Sequence, residues 1–547
     1  MGWKYNNILL CLEEIYYYRN VEKFKKFILK TYPYWVGIIL VLGFVLRVYA
    51  LGKPNLWRDE AFTVLLSEKD FTELLSIAVN DTTPPLLEIV LYIWIKILGD
   101  SEFSVRFPSL LASMGTIWFI LLISKKYFSK LDSLVIILLS SCNFVSIHFA
   151  QEARAYALLS FLSVGSVYYL LNLLDQKENK KIYSILYILF TVCSFYTHNL
   201  AIFLIATQFL LVSVILFKRK QIKREFLSWF SRYLIIGIVC LPWLILTYIQ
   251  AAQVQEDFWL NFHPWNSVME AVGRMLIGYR LYTHAPYCFF DSISTIILVI
   301  LLFMGIGSEL AESKKKSPIF SFLYIGPITL IYIGSFITPL MYIRYISFLV
   351  PFLILLIYKG LKLMKRRFLL YPVLSVLIIA SWMSVFCRYR SDNNLKPFHK
   401  NLSDDIQTFY KKSDVIIHMS SLSYFPFEYY SKGEYASYIY DPDYDVPFYN
   451  GKILIPERAY IHNLSTLEKY DRVLAIVFLS DFNDVDTKVG DFEKEYFQCT
   501  EKAYGSNLFL KIFAKDEITC NPHSEFLPNP IKIYSKSKSY IMCKHGS

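Results

Sequence analysis

The first apolar run of the chain and the charged cluster behind it decide the fold. Residues 35–61 read WVGIILVLGFVLRVYALGKPNLWRDEA. The apolar part, residues 35–51, is long enough to cross a bilayer as a helix, which takes about 17 to 25 residues. Asp59 and Glu60 follow shortly after it, next to Trp57 and Arg58. Two adjacent carboxylates at a membrane surface either face solvent or have a chemical task such as accepting a proton.

The composition indicates an integral membrane protein. The chain has 547 residues, of which 55% are hydrophobic, 17% are aromatic and only 18% are charged, whereas soluble domains carry about 25% charged residues. The net charge of +11 does not indicate a nucleic-acid partner, because the lysines and arginines fall in short clusters between apolar runs. The nine cysteines follow no spacing typical of a zinc site or a disulfide framework.

Repeated apolar runs predict a polytopic α-helical membrane protein with about 11 to 13 spans. The runs are separated by short polar loops, many of them basic. After the first run at 35–51, they occupy residues 108–124, 131–149, 155–174, 181–197, 200–217, 231–249, 291–310, 318–338, 343–358 and 368–386.

The basic clusters predict the orientation of these spans. They fall in alternate loops, which is typical of cytoplasmic loops; examples are Lys125, Lys126 and Lys130, then Lys218, Arg219 and Lys220, then Lys359 and Lys362. Residues 1–34 are then a cytoplasmic N-terminal segment, and residues 52–107 form a long first outer loop. The alternation holds only if the apolar stretch from Pro84 to Leu98 is interfacial or re-entrant instead of a lone span.

Two further segments outside the spans have a recognisable character. In the first outer loop, Asp70 and Glu73 resemble a capping box, and Phe71, Leu74 and Ala78 recur at helical spacing, which predicts an amphipathic helix on the membrane. Residues 388–547 alternate polar loops with short β-like runs such as 415–417 and 473–478. They predict an extracytoplasmic α/β domain that follows the membrane domain at 35–387.

Several motifs recur in one order along the chain. They are Trp57-Arg58-Asp59-Glu60-Ala61, Asp81-Thr82-Thr83-Pro84-Pro85-Leu86, Ser101-Glu102-Phe103-Ser104-Val105-Arg106-Phe107-Pro108-Ser109, Gln151-Glu152-Ala153-Arg154-Ala155-Tyr156-Ala157-Leu158 and Arg344-Tyr345. In combination they resemble the bacterial protein-mannosyltransferase-like branch of the GT-C glycosyltransferases over about residues 35–390. The resemblance implies a GT-C membrane domain and the transfer of a sugar from a polyprenyl-phosphate carrier to a protein, lipid or envelope glycan on the outer membrane face.

The family pattern implies that Asp59 is the general base, with Glu60 as its neighbour. The departing prenyl phosphate needs a positive partner, and an arginine fork pairs with phosphate oxygens in a bidentate way. We expect Arg344 in this role first, then Arg154, then Arg58. Glu152, Asp81 and His198 complete the expected donor site.

Each of these residues also has a structural interpretation. Arg344 fits an interfacial anchor at a helix end, and Glu152 with Arg154 fits an ion pair at a helix start. Asp81 fits the cap of a helix that begins at Pro84-Pro85, and His198 fits an ordinary loop histidine. The stretch Leu86-Leu87-Glu88 departs from the resembled family, which is rich in tyrosine there; the extra carboxylate predicts a different substrate choice.

The expected cofactors and the competing functions complete the prediction. We expect no required metal, because no ligand set stands out, and no nucleotide sugar, because the chain has no glycine-rich phosphate loop. A flippase or transporter of lipid-linked sugars would also have many spans, but it predicts inverted repeats, and none is recognisable. A subunit of an envelope-polymer complex that has lost catalysis, and a glycan ligase or polymerase that moves a whole chain, are the remaining alternatives.

Overall fold

The computed structural model describes residues 22–23, 25–175, 180–254, 264, 267, 274–275, 285–312, 317–364, 367–395, 398–444, 446, 451–479, 485–505 and 507–520. The chain divides into two compact units. The first comprises the described parts of residues 1–54 and 66–391. The second comprises residues 55–65 and the described part of the chain from Asp392 onward.

The helices follow one another along the chain with short connections. They are α1 (Tyr32–Val48), α2 (Arg58–Glu68), α3 (Phe71–Asn80), α4 (Leu86–Leu98), α5 (Glu102–Tyr127), α6 (Lys130–Cys142), α7 (Phe144–Ala150), α8 (Ala155–Asp175), α9 (Lys180–Thr197), α10 (Ala201–Lys218), α11 (Ile222–Val254), α12 (Ala285–Glu312), α13 (Ile319–Gly334), α14 (Ile343–Ile346), α15 (Val350–Lys362) and α16 (Arg367–Leu395).

Many of these helices have the length and composition of membrane spans. Among the described residues, six helices are long and apolar enough to cross a membrane, and the pair α6 and α7, bent by 54°, makes a seventh if it is one broken span. Shorter apolar helices include α1, α13 and the middle of α16. Every predicted apolar run lies on a helix, and the polytopic fold class is therefore confirmed.

Ion pairs gather the basic clusters at one end of the helical unit. Lys126 and Arg219, at the ends of α5 and α10, lie 3.1 and 3.6 Å from the two carboxylate oxygens of Asp175 at the end of α8. At the same side of the chain's alternation, Lys362 at the end of α15 lies 2.8 Å from Asp132 at the start of α6. The helix ends that carry Lys and Arg therefore pair with acidic helix ends, which agrees with the alternation of loops in the sequence.

One arginine is buried inside the helical unit. Arg47, near the end of α1, has no exposed surface. Its Nη1 donates to the carbonyls of Gly43 and Ser141, at 3.0 and 2.9 Å, and its Nε donates to the Ser113 hydroxyl at 2.8 Å. Carbonyl and hydroxyl oxygens thus solvate the charge and fix α1 against α5 and α6.

The first outer loop contains the expected short helices. Helix α3 begins after Asp70 and buries Leu74 and Ala78, as its periodicity predicts, but the Asp70 side chain makes no capping hydrogen bond. Glu73 instead lies 3.1 Å from Lys69, so the capping box is not formed. Helix α4 has 13 residues, which is shorter than the roughly 20 residues of a span; its interfacial position stays a prediction.

The second unit is built around a mixed six-stranded sheet in the order β3-β2-β1-β4-β6-β5. Strands β1, β2, β3 and β4 are parallel, while β6 runs antiparallel to both β4 and β5. The predicted α/β domain is therefore present. Its elements are α17 (His399–Phe409), β1 (Asp414–His418), α18 (Ser421–Ser431), β2 (Ser437–Tyr440), β3 (Tyr460–Ile461), β4 (Arg472–Phe478), α19 (Val485–Glu495), β5 (Phe497–Ala503), β6 (Leu508–Ala514) and α20 (Glu517–Cys520).

Two internal links brace this unit. Arg472 at the start of β4 donates to both carboxylate oxygens of Asp414 at the start of β1, and both side chains are buried. Such a bidentate pair ties the two central strands together. Cys499 on β5 and Cys520 on α20 form a disulfide, which attaches the last described helix to the edge of the sheet.

Candidate functional site

Four polar side chains from separate loops interact at one end of the helical unit. Asp81 follows α3, Glu88 lies in the first turn of α4, Arg154 immediately precedes α8, and His198 follows α9. The charge of Arg154 acts on the other three side chains. We refer to these four residues as the polar cluster. Three of them, Asp81, Arg154 and His198, are predicted site residues.

The turn between α3 and α4 is held in place by amide side chains. Asn199, next to His198, donates from Nδ2 to the Thr82 carbonyl at 3.2 Å. Asn199 in turn accepts a hydrogen bond from the Trp243 indole at 3.1 Å. Gln250 at the end of α11 donates to the Val79 carbonyl at 2.9 Å. Helices α9, α10 and α11 therefore fix the loop that carries Asp81 and Glu88.

Asp81 is buried and partly satisfied by its own turn. The Thr83 hydroxyl donates to its Oδ2 at 2.7 Å. Burial raises the pKa of the carboxyl, while the hydrogen bonds from Thr83 and Thr82 and the charge of Arg154 oppose that rise. Asp81 does not cap α4, because that helix begins after Pro85. The helix-cap interpretation is therefore wrong.

Glu88 differs from Asp81 in having an oxygen that no described group satisfies. The side chain is 5% exposed, and its buried Oε2 has no hydrogen-bond partner among the described residues. Burial raises the pKa of Glu88 to about 7; Arg154 opposes the rise and Asp81 adds to it. Near neutral pH the group is therefore divided between its charged and neutral forms.

His198 is held as a hydrogen-bond donor. The backbone N–H of Leu200 donates to its Nδ1 at 3.2 Å, so the neutral ring carries its proton on Nε2. Burial, with Arg154 adding to it, lowers the pKa of His198 to about 4. At neutral pH the imidazole is uncharged, and its Nε2–H can donate to an oxygen of a bound molecule.

Glu152 pairs with a histidine that sequence reasoning missed. Its Oε1 lies 3.5 Å from Nε2 of His148, one turn earlier at the end of α7. The spacing of four residues was a signal that could have indicated this contact. Because Glu152 is only 5% exposed, the neighbouring histidine supplies a partner that a buried carboxylate needs.

Arg344 begins a stacked row of aromatic rings. Its guanidinium lies 4.9 Å from the centre of the Tyr342 ring. The Tyr342 and Tyr345 rings are 5.9 Å apart, and Tyr345 lies 5.7 Å from the His198 ring. The row therefore connects the start of α14 to the polar cluster, and Tyr345 of the Arg344-Tyr345 motif contacts a predicted site residue.

Two arginine and glutamine side chains of the motifs have structural tasks. Arg106 is fully buried and donates from Nη1 to the carbonyls of Leu51 and Pro54, both at 2.8 Å. Gln151 donates to the carbonyls of Arg47 and Tyr49. Both side chains fix the chain where it leaves α1, just ahead of the Trp57 motif.

The Asp59 segment belongs to the second unit. Arg58, Asp59 and Glu60 form the first turn of α2, where carboxylates are favoured by the helix dipole. Nη1 of Arg58 lies 3.4 Å from Oδ1 of Asp59. Glu60 is fully buried, and its Oε2 lies 3.5 Å from the Trp57 amide nitrogen.

Residues of the α/β domain hold this segment. The Leu56 amide donates to the Tyr430 hydroxyl at 2.8 Å. The Phe62 and Phe425 rings pack edge to face with centres 5.3 Å apart. Tyr430 lies in the tail stretch that loosely resembles the outer domain of the family, and this contact gives the stretch a defined role.

No metal site is visible in the described part of the chain. There, no group of three or more His, Cys, Asp or Glu side chains could hold a metal ion. The expected metal independence stays a prediction.

A sequence comparison matches residues 82–246 to the family described as dolichyl-phosphate-mannose-protein mannosyltransferase. The matched range contains Glu88, Glu152, Arg154 and His198. No curated protein matches the chain.

Solved structures match over nearly the whole chain. The crystal structure of ArnT from Cupriavidus metallidurans in the apo state has a TM-score of 0.60 and 11% sequence identity, and the match covers 89% of this chain and 99% of ArnT. ArnT bound to undecaprenyl phosphate gives a TM-score of 0.57 and 12% identity, with the same coverage. The chain has the GT-C fold and is mannosyltransferase-like. The predicted resemblance and the expected glycosyltransferase class are confirmed at this level.

Proposed function

We propose that this GT-C protein transfers a sugar from a polyprenyl-phosphate carrier to an acceptor on the outer face of the membrane. The observation that carries the proposal is the polar cluster, in which one arginine acts on side chains from three other loops within a segment that matches a mannosyltransferase family. The bound undecaprenyl phosphate in one ArnT structure supports the choice of carrier.

Arg154 and His198 have the chemistry that a leaving phosphate requires. A guanidinium offers a bidentate set of donors, and the neutral His198 ring offers Nε2–H. Donors that are fixed before the reaction stabilise the charge that develops on the phosphate as the sugar leaves. Arg344, at the other end of the aromatic row, is the second cation that we assign to the carrier phosphate.

Asp59 is the general base of the proposed reaction, an assignment that rests on the resemblance. The acceptor oxygen or nitrogen forms a bond to the anomeric carbon, and its proton passes to the Asp59 carboxylate. The bond between the anomeric carbon and the phosphate oxygen breaks, and polyprenyl phosphate leaves with the electron pair. Arg58, 3.4 Å from Asp59, favours the ionised form of the base before the proton arrives.

An outer location is supported by two features. The Cys499–Cys520 disulfide is of a kind that persists in oxidising compartments. The Lys and Arg clusters lie at helix ends that join basic and acidic groups, as expected for the cytoplasmic side.

Substitution of Asp59 tests the assignment of the base. Membranes that contain the protein are given a polyprenyl-phosphate hexose and acceptor, and free polyprenyl phosphate is measured. Asp59→Asn should reduce release about 100-fold or more, because general-base catalysis contributes about 10²- to 10⁴-fold. Asp70→Asn, at an exposed carboxylate of the same loop that makes no capping hydrogen bond, is the matched control and should be fully active.

The outcomes separate this proposal from its competitors. Full activity of Asp59→Asn would refute the assigned base. Movement of the lipid-linked sugar across the membrane without transfer would favour the flippase. Transfer of a preassembled chain instead of a monosaccharide would favour a ligase or polymerase.

A further inference from the structure

The polar cluster contains donors and acceptors in two distinct sets. Arg154 and His198 offer N–H groups, which suit a phosphate. Glu88 offers an oxygen that accepts, and a carboxylate would repel a phosphate. A ligand that satisfies the whole cluster therefore needs an anionic part and a part that donates hydrogen bonds.

Glu88 is the member of the cluster whose hydrogen-bonding capacity is left open. It is more than nine-tenths buried, and its Oε2 has no partner among the described residues. Asp81, by contrast, already accepts a hydrogen bond from Thr83. Buried carboxylate oxygens are costly unless a donor reaches them. A bound molecule is the natural source of that donor at a site built from four loops.

The sequence adds an independent observation. The resembled family is rich in tyrosine at the stretch that reads Leu86-Leu87-Glu88 in this chain. A tyrosine presents one neutral hydroxyl, whereas a carboxylate presents two acceptor oxygens and, when ionised, no donor. The replacement therefore changes which hydrogen-bonding groups of a ligand can be matched.

We propose that Glu88 binds a hydroxyl group of the transferred sugar and so determines which sugar this chain accepts. The inference rests on the proposed function, since it assumes that the cluster receives a sugar phosphate. Arg154 and His198 then hold the phosphate that all polyprenyl-phosphate sugars share. Glu88 distinguishes sugars by the presence and direction of a hydroxyl, which a site built to hydrogen-bond it can do strongly.

The charge state of Glu88 gives the proposal a pH signature. Arg154 and Asp81 are the charged groups that act on it, and the burial of its carboxyl raises its pKa to about 7. The carboxylate is the better acceptor for a hydroxyl. Sugar recognition through Glu88 should therefore be stronger at pH 8 than at pH 6.

The test is a comparison of binding affinities on the full-length protein in detergent. The probes are undecaprenyl phosphate alone and undecaprenyl phosphate carrying mannose, glucose, galactose or N-acetylglucosamine. In the wild type, one sugar should increase the affinity above that for the bare lipid phosphate. Glu88→Leu should reduce that increase by about 10- to 100-fold, the usual worth of a hydrogen bond to a charged group, and leave the affinity for bare undecaprenyl phosphate unchanged.

Two further variants separate recognition from packing. Glu88→Gln keeps an acceptor oxygen, so part of the sugar-dependent increase should remain, but without the wild-type decline between pH 8 and pH 6. Glu73→Gln, at an exposed glutamate of the preceding helix, should behave as the wild type at both pH values.

Each remaining outcome overturns the proposal. Equal losses for the bare and the sugar-bearing lipids in Glu88→Leu would assign Glu88 to packing. An unchanged sugar-dependent increase, or no increase for any of the four sugars in the wild type, would remove Glu88 from sugar recognition while leaving the carrier intact. Failure of the wild type to bind any polyprenyl phosphate would instead refute the proposed function, and this inference with it.

Discussion

Two buried histidines predict that the α/β domain loses stability in mild acid. His399 begins α17, is 2% exposed, and stacks against Phe478 with ring centres 6.3 Å apart. His418 ends β1, is fully buried, and shares a hydrogen bond of 2.9 Å between its Nδ1 and the Ser423 hydroxyl. Nδ1 of His399 and Nε2 of His418 have no hydrogen-bond partner among the described residues.

Burial lowers the pKa of both rings to about 3, and the two rings lower each other's affinity for protons. An unfolded histidine has a pKa of about 6.5. Below that value the unfolded domain binds protons that the folded domain refuses. The stability that the neutral rings contribute is therefore complete above about pH 6.5 and is lost progressively as the pH falls towards 3.

The size of the loss follows from the same values. Between pH 7.5 and pH 5.5, each histidine should reduce the free energy of unfolding by about 1.4 kcal/mol, because protonation of the unfolded state becomes about tenfold favourable. The two together should cost about 3 kcal/mol. This is a large share of the 5 to 15 kcal/mol that stabilises a typical domain.

Hydrogen exchange on the full-length protein can measure this loss. The opening free energies of amides in β1 and β4, after correction for intrinsic exchange, should fall by about 3 kcal/mol from pH 7.5 to pH 5.5. A double variant, His399→Phe and His418→Gln, should remove most of that decline. The reasoning is refuted if the wild type shows no decline, or if the double variant declines as much as the wild type.

Four other predictions concern the site and its support. Arg154→Gln should weaken the binding of undecaprenyl phosphate by about 10- to 100-fold, because it removes a charged donor, whereas Arg154→Lys should recover part of the affinity; equal affinity in all three proteins would contradict the phosphate assignment. Tyr430→Phe removes the acceptor of the Leu56 amide and should lower turnover several-fold without changing donor affinity, and a normal turnover would show that the contact is dispensable. Gly451→Ala should destabilise the α/β domain by about 1 to 3 kcal/mol, because Gly451 has a φ of +73° and its added Cβ would lie 2.8 Å from the Phe425 ring; an unchanged melting temperature would contradict it. Incubation with EDTA should leave sugar transfer unchanged, and loss of activity that Zn²⁺ or Mn²⁺ restores would overturn the expected metal independence.

Sequence alone predicted the helical unit well because its signal is local. A run of about 20 apolar residues fixes both the type and the extent of a span, and every predicted run lies on a helix. The motifs also predicted Asp81, Arg154 and His198 as site residues, and the structure joins these three electrostatically. Their shared sign of loop position was enough to place them at one end of the bundle.

Contacts between distant residues were beyond the sequence. The hydrogen bond from Leu56 to Tyr430 spans 374 residues, so no local pattern could indicate that the Asp59 segment packs with the α/β domain. The tail cysteines allowed more than one pairing until the structure joined Cys499 to Cys520. Glu88 was visible as an unusual residue, but its burial and its unsatisfied oxygen depend on the packing of α4.

The most direct test of the proposed activity is the stoichiometry of transfer by the purified full-length protein in lipid vesicles. With undecaprenyl-phosphate hexose and an acceptor from the organism's envelope, mass spectrometry should detect one undecaprenyl phosphate released for each hexose added to the acceptor, and Asp59→Asn should abolish both products. Release of undecaprenyl phosphate with no sugar on any acceptor, or sugar transfer that persists in Asp59→Asn at the wild-type rate, would contradict the proposed mechanism.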